Sequence, residues 1–159
     1  MQLTIDELIG YTDEERLKWE NWFATKGDET LKLSLYNADH ARVGALILHI
    51  FGPELQYLQF IRNEDLTDYT SMPVERADEL FAFGRRSREV LRAWCAGATP
   101  EEWERAFEPQ EGLRVSARKI VAHVLMHEIR HWAQLALGMR QHDLAPPGDH
   151  DLLFSRAVE

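Results

Sequence analysis

Residues 123–135 read HVLMHEIRHWAQL, with imidazoles at positions 123, 127 and 131. The apolar residues of this stretch recur at helical spacing. Four residues of helix turn a side chain by about 40° and raise it by about 6 Å, so His127 and His131 share a face. On a helical wheel Ile120, Val124, His127, His131 and Leu135 fall within roughly 80° of arc, which is the inward side of an amphipathic helix. His123 lies about 80° around from His131 and belongs behind the pair or on the surface.

A lone histidine on an apolar face is ordinarily a hydrogen-bonded core residue. Two neutral imidazoles side by side in such a face need polar partners that an apolar core does not offer. A shared divalent cation meets that need, given a third ligand from elsewhere in the fold. His49 is the natural third donor, because it sits on the less apolar side of another long helix, in line with Arg42, Ala45, Pro53, Gln56 and Phe60. His40 lies at a helix start, and His142 and His150 belong to a tail expected to be solvent-exposed.

Working outward, four long helices are expected and almost no strand. Thr12-Asp13-Glu14-Glu15 has the form of a capping box, placing the start of a first helix through Trp19, Trp22 and Phe23. An earlier turn over residues 4–9 joins it across a weak point at Gly10. Leu31, Leu33 and Leu35 alternate with polar residues, as in a short extended piece. The second helix begins near residues 37–39 and carries Val43 to Ile61, apolar almost all round and therefore buried, with a bend at Pro53. The third runs through Leu80, Phe81, Leu91 and Trp94 to Gly97. Thr99-Pro100-Glu101-Glu102 starts a short helical turn. A loop over residues 108–112 follows. Ser116 caps the fourth long helix, which Gly138 terminates. The tail, with Pro146, Pro147 and Gly148, is irregular. The fold class is thus all-α: a four-helix bundle with a short irregular C-terminal tail, one domain over residues 1–159.

Composition narrows the function. The chain has 159 residues, 27 acidic against 18 basic, and a net charge of −9. That balance argues against nucleic acid as a direct partner. No segment reaches the roughly 20 apolar residues of a membrane span, and the acidic N-terminal stretch lacks the basic-then-apolar profile expected of a secretion signal. The single Cys95 has no partner in the chain, and a reducing cytoplasm is the expected location. Its setting, near the end of an apolar helical stripe, makes it a small buried hydrophobe.

His127-Glu128-Ile129-Arg130-His131 also fits H-E-x-x-H, the zinc-peptidase pattern in which the glutamate is the general base. The downstream Gly and His of the extended form are replaced by Gln134 and Leu137, no glutamate follows at a thermolysin-like interval, and no edge strand is expected to bind a peptide. Glu128 also points about 60° away from His131, so a base there is not assigned.

The pairing of LILHIFGPELQYL around His49 with HVLMHEIRHWAQL around His127, closed by GMRQHDLAPPGDHDLLF, resembles the DinB-like family of bacterial four-helix proteins. The resemblance implies an up-up-down-down bundle, frequently a homodimer, with a divalent ion held by three histidines. Carried onto this chain, those ligands are His49, His127 and His131. The resemblance further implies metal-assisted transfer of a low-molecular-weight thiol onto an electrophile, or hydrolysis of a small substrate. All-nitrogen ligation suits zinc or nickel, with iron, cobalt, manganese and copper as further choices. The expected pocket lies between the second and fourth long helices, with Gln56, Tyr57, Phe60, Glu128 and Gln134 as lining groups or partners of the ligands. The alternative function is a non-catalytic, stress-related metal-binding bundle. Met126, Ile129, Ala133 and Leu137 lie away from the histidine face, which suggests a homodimer contact.

Overall fold

The computed structural model describes residues 3–35 and 40–158. The first helix, α1 (Ile5–Lys26), includes the expected earlier turn as its own start. Thr4 and Glu7 form the capping box, and α1 passes through Gly10 unbroken. Thr12, whose own box was expected to open the helix, lies inside it. Its hydroxyl bonds back to the Leu8 carbonyl at 3.0 Å, which lets a good capping residue sit in a helix interior.

A 3-10 turn (Asp28–Lys32) follows, and Ser34 pairs with Arg42 in an isolated antiparallel bridge. The expected extended piece is therefore split, since Leu31 belongs to the turn. The expected helix start at residues 37–39 lies outside the described residues. Within them, α2 spans Val43–Arg62 with Pro53 in its interior. Then come α3 (Ala77–Gly97) and the short α4 (Pro100–Glu104), capped by the Thr99–Glu102 box.

The loop expected at residues 108–112 is instead a hairpin. β1 (Ala106–Gln110) pairs antiparallel with β2 (Leu113–Ser116), with Phe107 opposite Val115 and Gly112 at φ 76° in the turn. Phe107, Pro109, Leu113 and Val115 carry the period-two pattern, but over runs too short to be decisive. Ser116 caps α5 (Ala117–Gln141), its Oγ accepting from the Lys119 amide.

Gly138 does not end α5. A Cβ on it would collide with the Leu35 side chain, so its role is close approach of Leu35 to the helix.

The protein is mostly helical, and its four long helices share a core. α1 packs on α3 and α5, and α2 packs on the same two. Trp132 lies at the centre of the larger apolar cluster, stacked between Trp19 (ring centroids 5.7 Å apart) and Phe81 (6.4 Å). A second cluster, including Leu58, Ile61, Leu91, Ile120 and Leu125, fills the hairpin end. Burying these side chains is the main favourable term of the fold. No helix among the described residues is long and apolar enough to cross a membrane.

The tail is irregular apart from a 3-10 turn at Leu152–Phe154, yet it is not free in solvent. Trp22 Nε1 donates to the Ala145 carbonyl and Lys18 Nζ to that of Asp149, strapping it along α1. His150, expected to be exposed, is half-buried. It stacks on Trp19 at 5.6 Å and meets the Glu15 carboxylate at 2.5 Å. His142 is likewise half-buried, with Nε2 2.7 Å from the Ser34 carbonyl oxygen.

Candidate metal centre

The packing of α2 against α5 brings His49 to the pair on α5. His127 Nε2 lies 3.1 Å from His49 Nε2 and 3.0 Å from His131 Nε2, and the three nitrogens all fall within 4.8 Å of one another. His131 is buried and the other two are half-buried. Two of these residues come from one helix face, as the four-residue spacing requires; the third comes from 78 positions away in the chain.

Gln134 Oε1 sits 2.6 Å from His131 Nδ1, and an amide oxygen only accepts, so that nitrogen carries the proton. His131 Nε2 is then an acceptor nitrogen turned toward His127. Burial, then His131 and His49, push the His127 pKa down from 6.5 to about 3, so this ring is neutral at ordinary pH. Three imidazoles presenting nitrogens to one point are a donor set for a divalent cation. With zinc–nitrogen bonds near 2.0–2.1 Å, tetrahedral ligands stand about 3.3 Å apart. The separations of 3.1 and 3.0 Å come within a few tenths of an ångström of that spacing.

Among the described residues, no fourth His, Cys, Asp or Glu joins this group of nitrogens. His40, placed by its sequence at a helix start, nevertheless reaches the site. Its ring lies over that of His49, with centroids 3.9 Å apart and planes 32° apart, and 6.3 Å from that of His131. Nothing in the helical periodicity signals this, because His40 precedes the first turn of α2. His123 is exposed on the next turn of α5, its ring edge against Tyr57 at 5.6 Å and 5.9 Å from His127.

The expected pocket residues divide. Gln134 holds a histidine directly, while Gln56, Tyr57 and Phe60 border a cavity beside α2. Glu128 does not face the site at all, which corrects its inclusion among the lining groups. It is buried on the opposite side of α5, where Oε1 accepts from Arg16 Nε (2.7 Å) and Trp132 Nε1 (3.0 Å), and Oε2 from Arg16 and Arg88. Glu54 of α2 completes this cluster, accepting from Arg16 and the Ser87 hydroxyl and ion-paired with Arg88. Burial would raise the Glu128 pKa, but Arg16 and Arg88 overcome it and hold the carboxyl below its ordinary value. A carboxylate so enclosed cannot take a proton from water at the histidines, so the H-E-x-x-H pattern has no peptidase base here.

Four ion-paired side chains thus join α1, α2, α3 and α5 behind the histidines. The sequence gives little sign of them, since isolated Arg and Glu residues ordinarily read as helix surface. Cys95 is half-buried, and burial followed by the Asp6 charge pushes its thiol up to about 12, far from a reactive thiolate.

A family model described as DinB family matches residues 1–157 of the chain. No curated protein matches it.

Proposed function

Because the chain belongs to the DinB family, we propose that it is a divalent-metal-dependent enzyme acting on small molecules, with His49, His127 and His131 as the metal ligands. The observation that carries this reading is the convergence of three imidazole nitrogens, from His49, His127 and His131, within 4.8 Å of one another. A three-ligand set is characteristic of catalytic centres, whereas structural zinc sites are ordinarily closed by four protein ligands.

When bound there, a divalent ion would lower the pKa of a thiol or water, or polarise a carbonyl. The protein's share is to supply imidazole donors and hold them still. Gln134 fixes the His131 tautomer, burial keeps His127 unprotonated, and the Arg16–Glu128–Arg88–Glu54 cluster anchors α2 and α5 from behind. Transfer of a low-molecular-weight thiol is placed ahead of hydrolysis. In the transfer the thiol loses its proton to solvent, a carbon–sulfur bond forms, and the leaving group departs with its bonding pair.

The four long helices are assigned the up-up-down-down bundle arrangement, as one domain. Met126 and Leu137, 56% and 58% exposed on the outward side of α5, support a homodimer contact there.

Turnover of a halogenated aromatic electrophile with a small thiol, by metal-loaded protein and not by His127→Ala, is the result expected. Failure across thiols, esters and amides with fully metallated protein would instead support a metal-binding protein without catalysis.

A further inference from the structure

On α2, residues 49, 53 and 57 follow one another at four-residue steps. On α5, residues 131, 127, 123 and 119 do the same, so the two rows continue the line of the metal centre toward the hairpin. Between them, beyond His123, lies a cavity of about 160 Å³ whose walls include Tyr57, Pro109, Leu113, Val115 and Ile120. Val115 and Ile120 are buried members of the apolar cluster, so this floor is greasy and fixed. A second cavity, of about 310 Å³, lies on the other side of Tyr57 and shares Pro109 with the first.

Three polar side chains, Tyr57, Lys119 and His123, line this apolar space. Lys119 stands at its edge and takes part in none of the ion pairs of the described residues, in a chain whose net charge is −9. The Tyr57 hydroxyl makes no hydrogen bond to the described residues, although the Tyr57 ring is held by His123. An apolar recess with a few placed polar groups beside a reactive centre is the ordinary form of a small-molecule site.

We propose that this recess is the substrate-binding subsite of the metal centre and that it takes a flat apolar body carrying an anionic group. The anion sits at Lys119, the ring or acyl body lies against Ile120 and Val115, and the reacting carbon lies toward His127, past the Tyr57–His123 contact. Eight residues of helix separate Lys119 from His127, about 12 Å along α5, which suits a bicyclic or ring-plus-chain acid better than a single-ring one. This substrate class rests on the metal-centre reading; the recess as a ligand site does not.

The test is calorimetric titration of naphthoate into wild-type protein, Lys119→Glu and Leu113→Trp, with zinc uptake measured on each sample. Leu113 is 46% exposed, so the larger ring can be accommodated at the rim and fold into the recess. Saturable binding by the wild type is expected, weakened about tenfold or more when the Lys119 charge is reversed. A comparable loss is expected for Leu113→Trp, with zinc uptake equal in all three proteins. Absence of naphthoate binding, or equal binding by all three, would overturn the subsite while leaving the metal centre standing. Naphthoate binding with these sensitivities in a wild type that takes up no zinc would support the recess and overturn the metal reading instead.

Discussion

Gln134 Oε1 meets His131 Nδ1 at 2.6 Å, one turn further along α5. This contact decides which nitrogen of His131 carries the proton, and so turns the other toward His127. Partners of this kind commonly contribute 10- to 100-fold to metal affinity. Gln134→Ala is therefore expected to weaken zinc binding by roughly that factor, and Gln134→Glu to retain it, as read by competition with a chromogenic chelator. Gln134 is exposed, so the melting temperature of the apo protein should hardly move.

The cluster behind the histidines gives a stability prediction. Arg88 is 5% exposed and contacts Glu54, Glu128 and Asp13. Removing one partner of a buried ion pair leaves a charge stranded, at a cost of about 3–5 kcal/mol. Urea unfolding of Arg88→Met should show a loss of that order. Glu128→Gln should destabilise as well, yet keep its zinc, whereas the loss of a metal ligand would do the reverse.

Stability should also depend on pH in a definite direction. The His127 pKa lies at about 3 in the folded chain against 6.5 for an unperturbed histidine. Below 6.5 the unfolded chain takes up a proton that the folded chain refuses, so acid favours unfolding. The stability conferred by the neutral ring is complete above pH 6.5 and declines as pH falls toward 3. Glu128, held below 4.5 by its arginines, adds a loss of the same sign further down. Thermal melts of chelator-treated protein from pH 7 to pH 4 should show a steady fall, and His127→Asn should flatten its upper part.

The outward face of α5 bears on assembly. Leu137→Glu is expected to shift a dimer to monomer in sedimentation equilibrium at micromolar concentration. A wild-type monomer under the same conditions would remove the dimer assignment.

Much of the architecture could be read from apolar spacing, because α2, α3 and α5 bury wide stripes at helical period. His49, His127 and His131 were legible for the same reason: each interrupts an apolar or half-apolar face. What escaped the reading depended on partners distant in the chain. Thr12 looks like a cap until Arg88, 76 residues away, is seen to use its hydroxyl. Glu54 and Glu128 look like ordinary polar positions until Arg16 is placed between them. His150 appears solvent-exposed unless the tail is known to lie on Trp19. Gly138 has the look of a helix stop, although what it accommodates is Leu35. Local propensity carries no information about these long-range contacts.

The central claim is that His49, His127 and His131 share one divalent cation. Elemental analysis of untagged protein, beside an identically prepared His49→Ala variant, tests it most directly. About one ion per chain in the wild type, and strong depletion in a variant that remains folded by circular dichroism, is the expected result. Equal metal content in the two proteins, or none in either after incubation with zinc or nickel, would contradict it.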